Sequence, residues 1–272
     1  MGMTWTLEDV DWDRFDRSKV DPTLLEVVRA ASMVEYRSAD YVAYLCNVFS
    51  DDEPFKVAAR LWGEEEIQHG RALGKWAQLA DPTFDFDASF ADFRANYTLA
   101  LDAHESIRGT RSAELLSRCM VEIGTSSFYS SISDAADEPV LRQICNLIAR
   151  DEFGHYGLFR RHMDRYMAKE RLGFWSKVRI LIGRTLETTD DELAYAYHAA
   201  NRLPGPYDRQ SATDAYAARA LALYRPIHVK KGVVMVFKAL GLRREGWWQS
   251  AVASVVYRAL QWRARRVSQS TA

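Results

Sequence analysis

Two Glu-x-x-His units stand out in this sequence, Glu66-Ile67-Gln68-His69 and Glu152-Phe153-Gly154-His155. A spacing of three puts carboxylate and imidazole on one face of a helix, where a single helix offers two ligands to one metal ion. The faces that carry them are otherwise apolar. Ala59, Trp62, Leu73 and Trp76 flank the first unit, and Leu141, Cys145, Ile148 and Phe159 flank the second. Two more apolar stripes are each interrupted once. Glu35 breaks the series Leu24, Val28, Ala31, Ala39, Val42, Cys46, and Glu122 breaks the series Leu115, Cys119, Ser126, Tyr129. Glu35 precedes Glu66 by 31 residues and Glu122 precedes Glu152 by 30, so a helix pair is repeated, each pair giving one Glu and one Glu-x-x-His.

Four carboxylates gathered in an interior repel one another, and each loses hydration worth several kcal/mol. Two divalent cations balance the four charges, and two neutral imidazoles complete the ligand set. Oxygen and nitrogen donors without thiolate suit iron or manganese. The expected metal ligands are therefore Glu35, Glu66, His69, Glu122, Glu152 and His155. Three neighbours join them as expectations. Thr125, one turn after Glu122, is placed to relay a proton or to bond back to its own helix. Asp151 is placed to accept the N–H of His69 or His155 and fix its tautomer. Trp62, four residues before Glu66, lies on an electron route or simply fills the core.

The elements that must position these residues are helical. Asp21-Pro22 predicts the start of a first helix that runs to about Phe49. Asp51-Asp52-Glu53-Pro54 opens a second, which continues to about Leu79 and ends at Asp81-Pro82-Thr83. Residues 84–110 cross the bundle, with some helix near Phe90 to Leu101. A third helix is expected over Ser112–Ser133 and a fourth over Pro139–Met167. Residues 174–201, 212–240 and 246–266 read as further helices, with the turn-rich Leu203-Pro204-Gly205-Pro206 between the first two. The expected organisation is all-α: an N-terminal arm (1–21), a four-helix bundle with all six ligands (22–170), and a C-terminal helical extension (171–272).

On these residues the sequence resembles the ferritin-like di-iron carboxylate superfamily, and within it the soluble acyl-carrier-protein desaturases. Trp62-Gly-Glu-Glu-Glu66-Ile-Gln-His69-Gly70 resembles their Trp-x-x-Glu-Glu-x-x-His-Gly segment. Glu122-Ile-Gly-Thr125 resembles their Glu-x-x-Thr, and Ala149-Arg-Asp151-Glu152-Phe-Gly-His155 their Ala-x-Asp-Glu-x-x-His. The stretch Glu35-Tyr36-Arg37-Ser38-Ala39-Asp40-Tyr41 is equally similar to rubrerythrin-like proteins. Both arginines of the desaturase cores are missing, since Ile67-Gln68 and Phe153-Gly154 stand in their places. The resemblance covers about residues 22–170. It implies a ferritin-like bundle, two iron ions, dioxygen activation, a ferredoxin-type electron donor and a long acyl or lipid substrate threaded beside the metals. It implies Thr125 beside the oxygen-binding face. The competing expectation is a rubrerythrin-like peroxidase or an iron-handling protein, although the chain has no rubredoxin-like Cys-x-x-Cys pair.

Composition bounds the rest. Cys46, Cys119 and Cys145 stand far apart, as in a reduced intracellular protein. The first residues have neither a basic nor an apolar signal region, and the longest uncharged run, 246–257, is too short to span a bilayer. The expected location is cytoplasmic, or peripheral at the inner face of a membrane. The net charge of -1 is a cancellation. From Arg225 onward there are ten Lys or Arg and one acid, against 26 and 36 in residues 1–224. A basic amphipathic last helix with tryptophans fits an anionic membrane surface, an acidic acyl carrier protein, or packing on its own bundle. Nucleic acid is not expected as a partner, and a homodimer is left open.

Overall fold

The computed structural model describes residues 4–98, 103–186, 191–242 and 246–270. All regular structure among them is helical. Three single-turn 3-10 helices lead into α1 (Pro22–Tyr36), α2 (Ser38–Val48), α3 (Glu53–Ala80), α4 (Phe86–Asn96), α5 (Arg111–Ala135) and α6 (Pro139–Glu170). They are followed by α7 (Phe174–Leu186), α8 (Asp191–Asn201), α9 (Arg209–Ala222), α10 (Pro226–Ala239) and α11 (Trp247–Ser270).

The helix starts follow capping chemistry. Asp21 accepts the amides of Thr23 and Leu24, Asp52 that of Phe55, Thr110 that of Ala113, and Glu138 that of Leu141. Three of these four caps are followed by proline in the first turn, where the missing N–H costs nothing.

The single first helix expected over 22–49 is two helices. Its chain turns at Arg37, whose side chain is buried, paired with Asp40 at 2.9 Å and stacked over Phe93 and Tyr97. The break shifts the buried face. Past Glu35 the core residues are Tyr44, Leu45 and Val48, while Ala39 is exposed and Cys46 half-buried. The expected helix over 212–240 is also divided, while in the one expected over 174–201 residues 187–190 lie outside the described residues. Pro226, which cannot donate to a preceding turn, begins α10.

α1 and α2 both pack along α3, and α5 packs along α6, so two helical hairpins face each other through α3 and α6. α8 and α9 lie on α1, α7 and α10 on α5, and α11 on α9 and α10. The core has two apolar ends. One gathers Leu24, Val28, Trp76, Ile132 and Leu141, and the other Phe49, Phe55, Trp62, Leu115 and Phe159. Of the six acidic and imidazole residues singled out above, Glu66, His69, Glu122, Glu152 and His155 lie mid-helix in α3, α5 and α6, and Glu35 lies at the end of α1, just before the turn at Arg37.

Glycine sets one decisive distance. A Cβ on Gly70 would sit 2.6 Å from the backbone nitrogen of Tyr36 and 2.8 Å from its Cα. Gly70 follows His69 and Tyr36 follows Glu35, so this contact brings that ligand pair together. Gly70→Ala is expected to cost about 1–3 kcal/mol in urea unfolding, because helix backbone must move. It is also expected to weaken metal binding at the Glu35–His69 half. An unchanged unfolding midpoint would show that α1 yields freely at this point.

Candidate metal centre

All six predicted ligands converge. Glu35, Glu66, His69 and Glu152 each present an atom within 4.8 Å of the others, and so do Glu66, Glu122, Glu152 and His155. Glu66 and Glu152 belong to both groups. Glu35 comes from α1, Glu66 and His69 from α3, Glu122 from α5, and Glu152 and His155 from α6. All are buried, with His69 and Glu152 at 0% exposure.

Both imidazoles turn Nδ1 toward the carboxylates. His69 Nδ1 lies 3.4 Å from Glu152, 3.8 Å from Glu66 and 3.9 Å from Glu35. His155 Nδ1 lies 2.9 Å from Glu66, 3.7 Å from Glu122 and 3.8 Å from Glu152. The opposite nitrogens are held by acids. His69 Nε2 is 3.1 Å from Asp151 Oδ2, and His155 Nε2 is 2.7 Å from Glu65 Oε2. An Nε2–H donated outward leaves the Nδ1 lone pair facing the cluster, the tautomer a metal requires.

The expectation for Asp151 therefore resolves to His69. Its counterpart, Glu65, was not anticipated, although the repeat carries the signal: an acid stands directly before each shared glutamate, Glu65 before Glu66 and Asp151 before Glu152. Tyr129, whose hydroxyl donates to Glu35, was read only as part of an apolar face. The N-terminal arm was unanticipated as well. Trp5 is buried, its indole N–H donates to Asp151 at 2.6 Å, and its ring lies parallel to that of His69. Thr4 donates to the other Asp151 oxygen, and Gln68 donates to the Trp5 carbonyl.

Thr125 Oγ1 lies 2.6 Å from Glu152 Oε2 and 3.2 Å from the Val121 carbonyl, so the hydroxyl reaches both the cluster and its own helix. Gly124 beside it is exposed, with nothing within 4 Å of where a Cβ would stand. Trp62 packs edge-on to His155 and Phe159 in the core.

The donor atoms test whether a metal fits. His69 Nδ1, His155 Nδ1 and one oxygen each of Glu66, Glu122 and Glu152 are buried without a hydrogen bond. Buried polar atoms are rarely left so. Burial alone is not the cause. Glu114 is equally deep, yet it is bonded to Tyr44, Ser106 and Arg118. The five unpaired atoms belong to residues of the two clustered groups, and oxygen and imidazole donors in this ratio suit a divalent transition metal. Glu35 and His69 would complete one ion's shell and Glu122 and His155 the other's, with Glu66 and Glu152 common to both.

Electrostatics gives the metal-free state. Burial, then the Glu66 carboxylate, holds Glu35 well above the usual carboxylate range, and burial with Glu152 does the same to Glu122. Burial opposes charge on Glu66 and Glu152 as well. The neighbouring Glu35 and imidazoles outweigh it at Glu66, and the imidazoles do so at Glu152, so both stay low. Burial also disfavours the imidazolium forms of His69 and His155, but the carboxylates around them keep both raised well above normal.

Metal loading must displace the protons that these upward shifts favour on Glu35, Glu122, His69 and His155. A weakly buffered titration with ferrous ion at neutral pH is therefore expected to release protons. The sign follows: protons compete with metal, so apparent affinity falls as pH is lowered. Release of no protons on stoichiometric binding would contradict this protonation state.

No protein-family model matches the chain, and no curated protein sequence matches it.

Proposed function

We propose that this chain is a ferritin-like di-iron carboxylate protein, and that it uses dioxygen to oxidise a long acyl or lipid substrate. The observation that carries the metal part is the pair of four-residue groups sharing Glu66 and Glu152, with their unpaired, buried donor atoms. The oxidase part rests on the resemblance of the Trp62–Gly70, Glu122–Thr125 and Ala149–His155 segments to acyl desaturases.

Two iron ions in such a site supply the electrons and Lewis acidity for dioxygen chemistry. The protein's own residues do the rest. Asp151 and Glu65 orient the imidazoles. The apolar clusters on either side keep water from the carboxylates. Thr125 holds a proton at Oγ1 against Glu152, and it is half-buried, next to exposed Gly124, so it connects the cluster to the outside. Tyr129, one turn further along α5, holds a second proton against Glu35.

The test is anaerobic loading with ferrous ion, metal analysis, and oxygen uptake with a reductant and lipid extract, followed by mass spectrometry of the acyl chains. Two irons per chain and lipid-dependent oxygen uptake are expected. Rapid hydrogen peroxide turnover with no lipid dependence would favour the peroxidase reading. A chain that retains no metal would sink both.

A further inference from the structure

We propose that the face built by α7, α10 and α11 docks on an anionic lipid bilayer. These helices carry ten Lys or Arg and not one Asp or Glu. Among the described residues, nine of the twelve large hydrophobic side chains that are exposed lie on them. Cations and exposed apolar groups therefore share one part of the surface, whereas charge alone would only keep a protein soluble.

α11 shows the arrangement most clearly. It packs inward through Gln249, Ala253, Ala264 and Val267. The opposite face presents Trp247, Val255 and Trp262, which are 84%, 65% and 62% exposed, spaced eight and seven residues apart and so aligned along the helix. Arg258, Arg265 and Arg266 are exposed on the same side.

α7 repeats the pattern, with Trp175 80% exposed and Ile182 and Arg179 exposed on the same side. α10 presents Ile227, Lys230, Lys231 and Lys238 along one exposed edge, and with Phe153 and Tyr156 of α6 they line a cleft of about 480 Å³. α10 and α11 adjoin, with Phe237 meeting Trp248 at 4.4 Å, and α7 and α10 both pack on α5, Ile180 and Ala239 against the same core cluster.

Charge complementarity selects the occupant. A second copy joined face to face would set ten cations against ten. An acidic protein would match the cations but leave fully presented tryptophans against a charged surface. An anionic bilayer takes both, with guanidinium and ammonium groups at the headgroups and indoles at the interface. No helix among the described residues is long and apolar enough to cross a membrane, so the contact is with its surface. The cleft lies one residue from ligands Glu152 and His155, which would put a lipid close to the proposed centre.

The inference stands on the surface alone and is tested without metal, so its failure leaves the di-iron reading untouched. The full chain is floated with phosphatidylcholine vesicles with and without phosphatidylglycerol. Binding only to the anionic vesicles is expected, about tenfold weaker at high salt. The Trp247→Ser, Trp262→Ser double variant should lose flotation while keeping its circular dichroism, since both side chains lie outside the core. No flotation with anionic vesicles overturns the proposal, as does flotation that the double variant leaves unchanged. Concentration-dependent dimerisation abolished by the double variant would assign the face to self-association instead, and capture of polyglutamate without vesicle binding would assign it to an acidic protein.

Discussion

Glu66→Ala and Glu152→Ala are each expected to abolish retention of both metal ions, and with it any oxidase activity. Each residue serves both four-residue groups, so its removal takes an oxygen donor from two ions at once. The remaining charges would also be unbalanced in an interior that cannot hydrate them. Glu35→Ala and Glu122→Ala remove a donor from one group only and should leave about one ion per chain. Loss of one of the acids behind the imidazoles, in Asp151→Asn or Glu65→Gln, should cost about 10–100-fold in affinity with both ions still bound at saturation. Metal analysis after gel filtration distinguishes the three classes. If the shared and unshared glutamates behaved alike, the centre would not be built on common carboxylates.

Five of the six ligands were legible because each interrupts an apolar stripe of period 3.6 within one helix. Glu35 was legible as the polar residue that closes such a stripe, since Ala39 and Cys46 beyond the break at Arg37 do not continue it in the core. Their supports were less so. The break at Arg37 has no proline or glycine to announce it. It depends on a guanidinium buried beneath Phe93 and Tyr97, which arrive from α4 and the residue after it. The part played by Trp5 rests on Asp151, 146 residues away, and no local pattern encodes a contact of that range. Glu65 is the opposite case, since the tandem acids of the repeat pointed to it.

The second large effect is expected on stability. Glu138 is buried, caps α6 through the amide of Leu141, accepts the indole N–H of Trp76, and accepts the backbone N–H of Asp16 in the arm. Glu138→Ala would leave the Leu141 amide and the Trp76 indole unpaired in the core, each costing about 1–3 kcal/mol, and would loosen the arm. A loss of about 3–5 kcal/mol is expected in urea unfolding, a large share of the roughly 5–15 kcal/mol that stabilises a typical domain. Glu138→Gln keeps an acceptor oxygen and should recover a substantial part. A loss below about 1 kcal/mol for the alanine variant would mean that the arm and both helices find other partners.

The placement of the arm has a kinetic consequence. Trp5 and Thr4 close over the Asp151–His69 pair, while the Glu122–His155 half lies beside exposed Gly124 and half-buried Thr125. An ion at the first position can leave only after the arm lifts, a local opening that costs its hydrogen bonds and the burial of an indole. No residue of the arm bonds to the Glu122–His155 half among the described residues, so an ion there is expected to exchange sooner. A loaded chain challenged with a competing divalent metal should therefore exchange in two phases and pass through a mixed-metal form, old ion under the arm and new ion opposite. The pseudo-symmetry of the ligands would then coexist with two very different residence times.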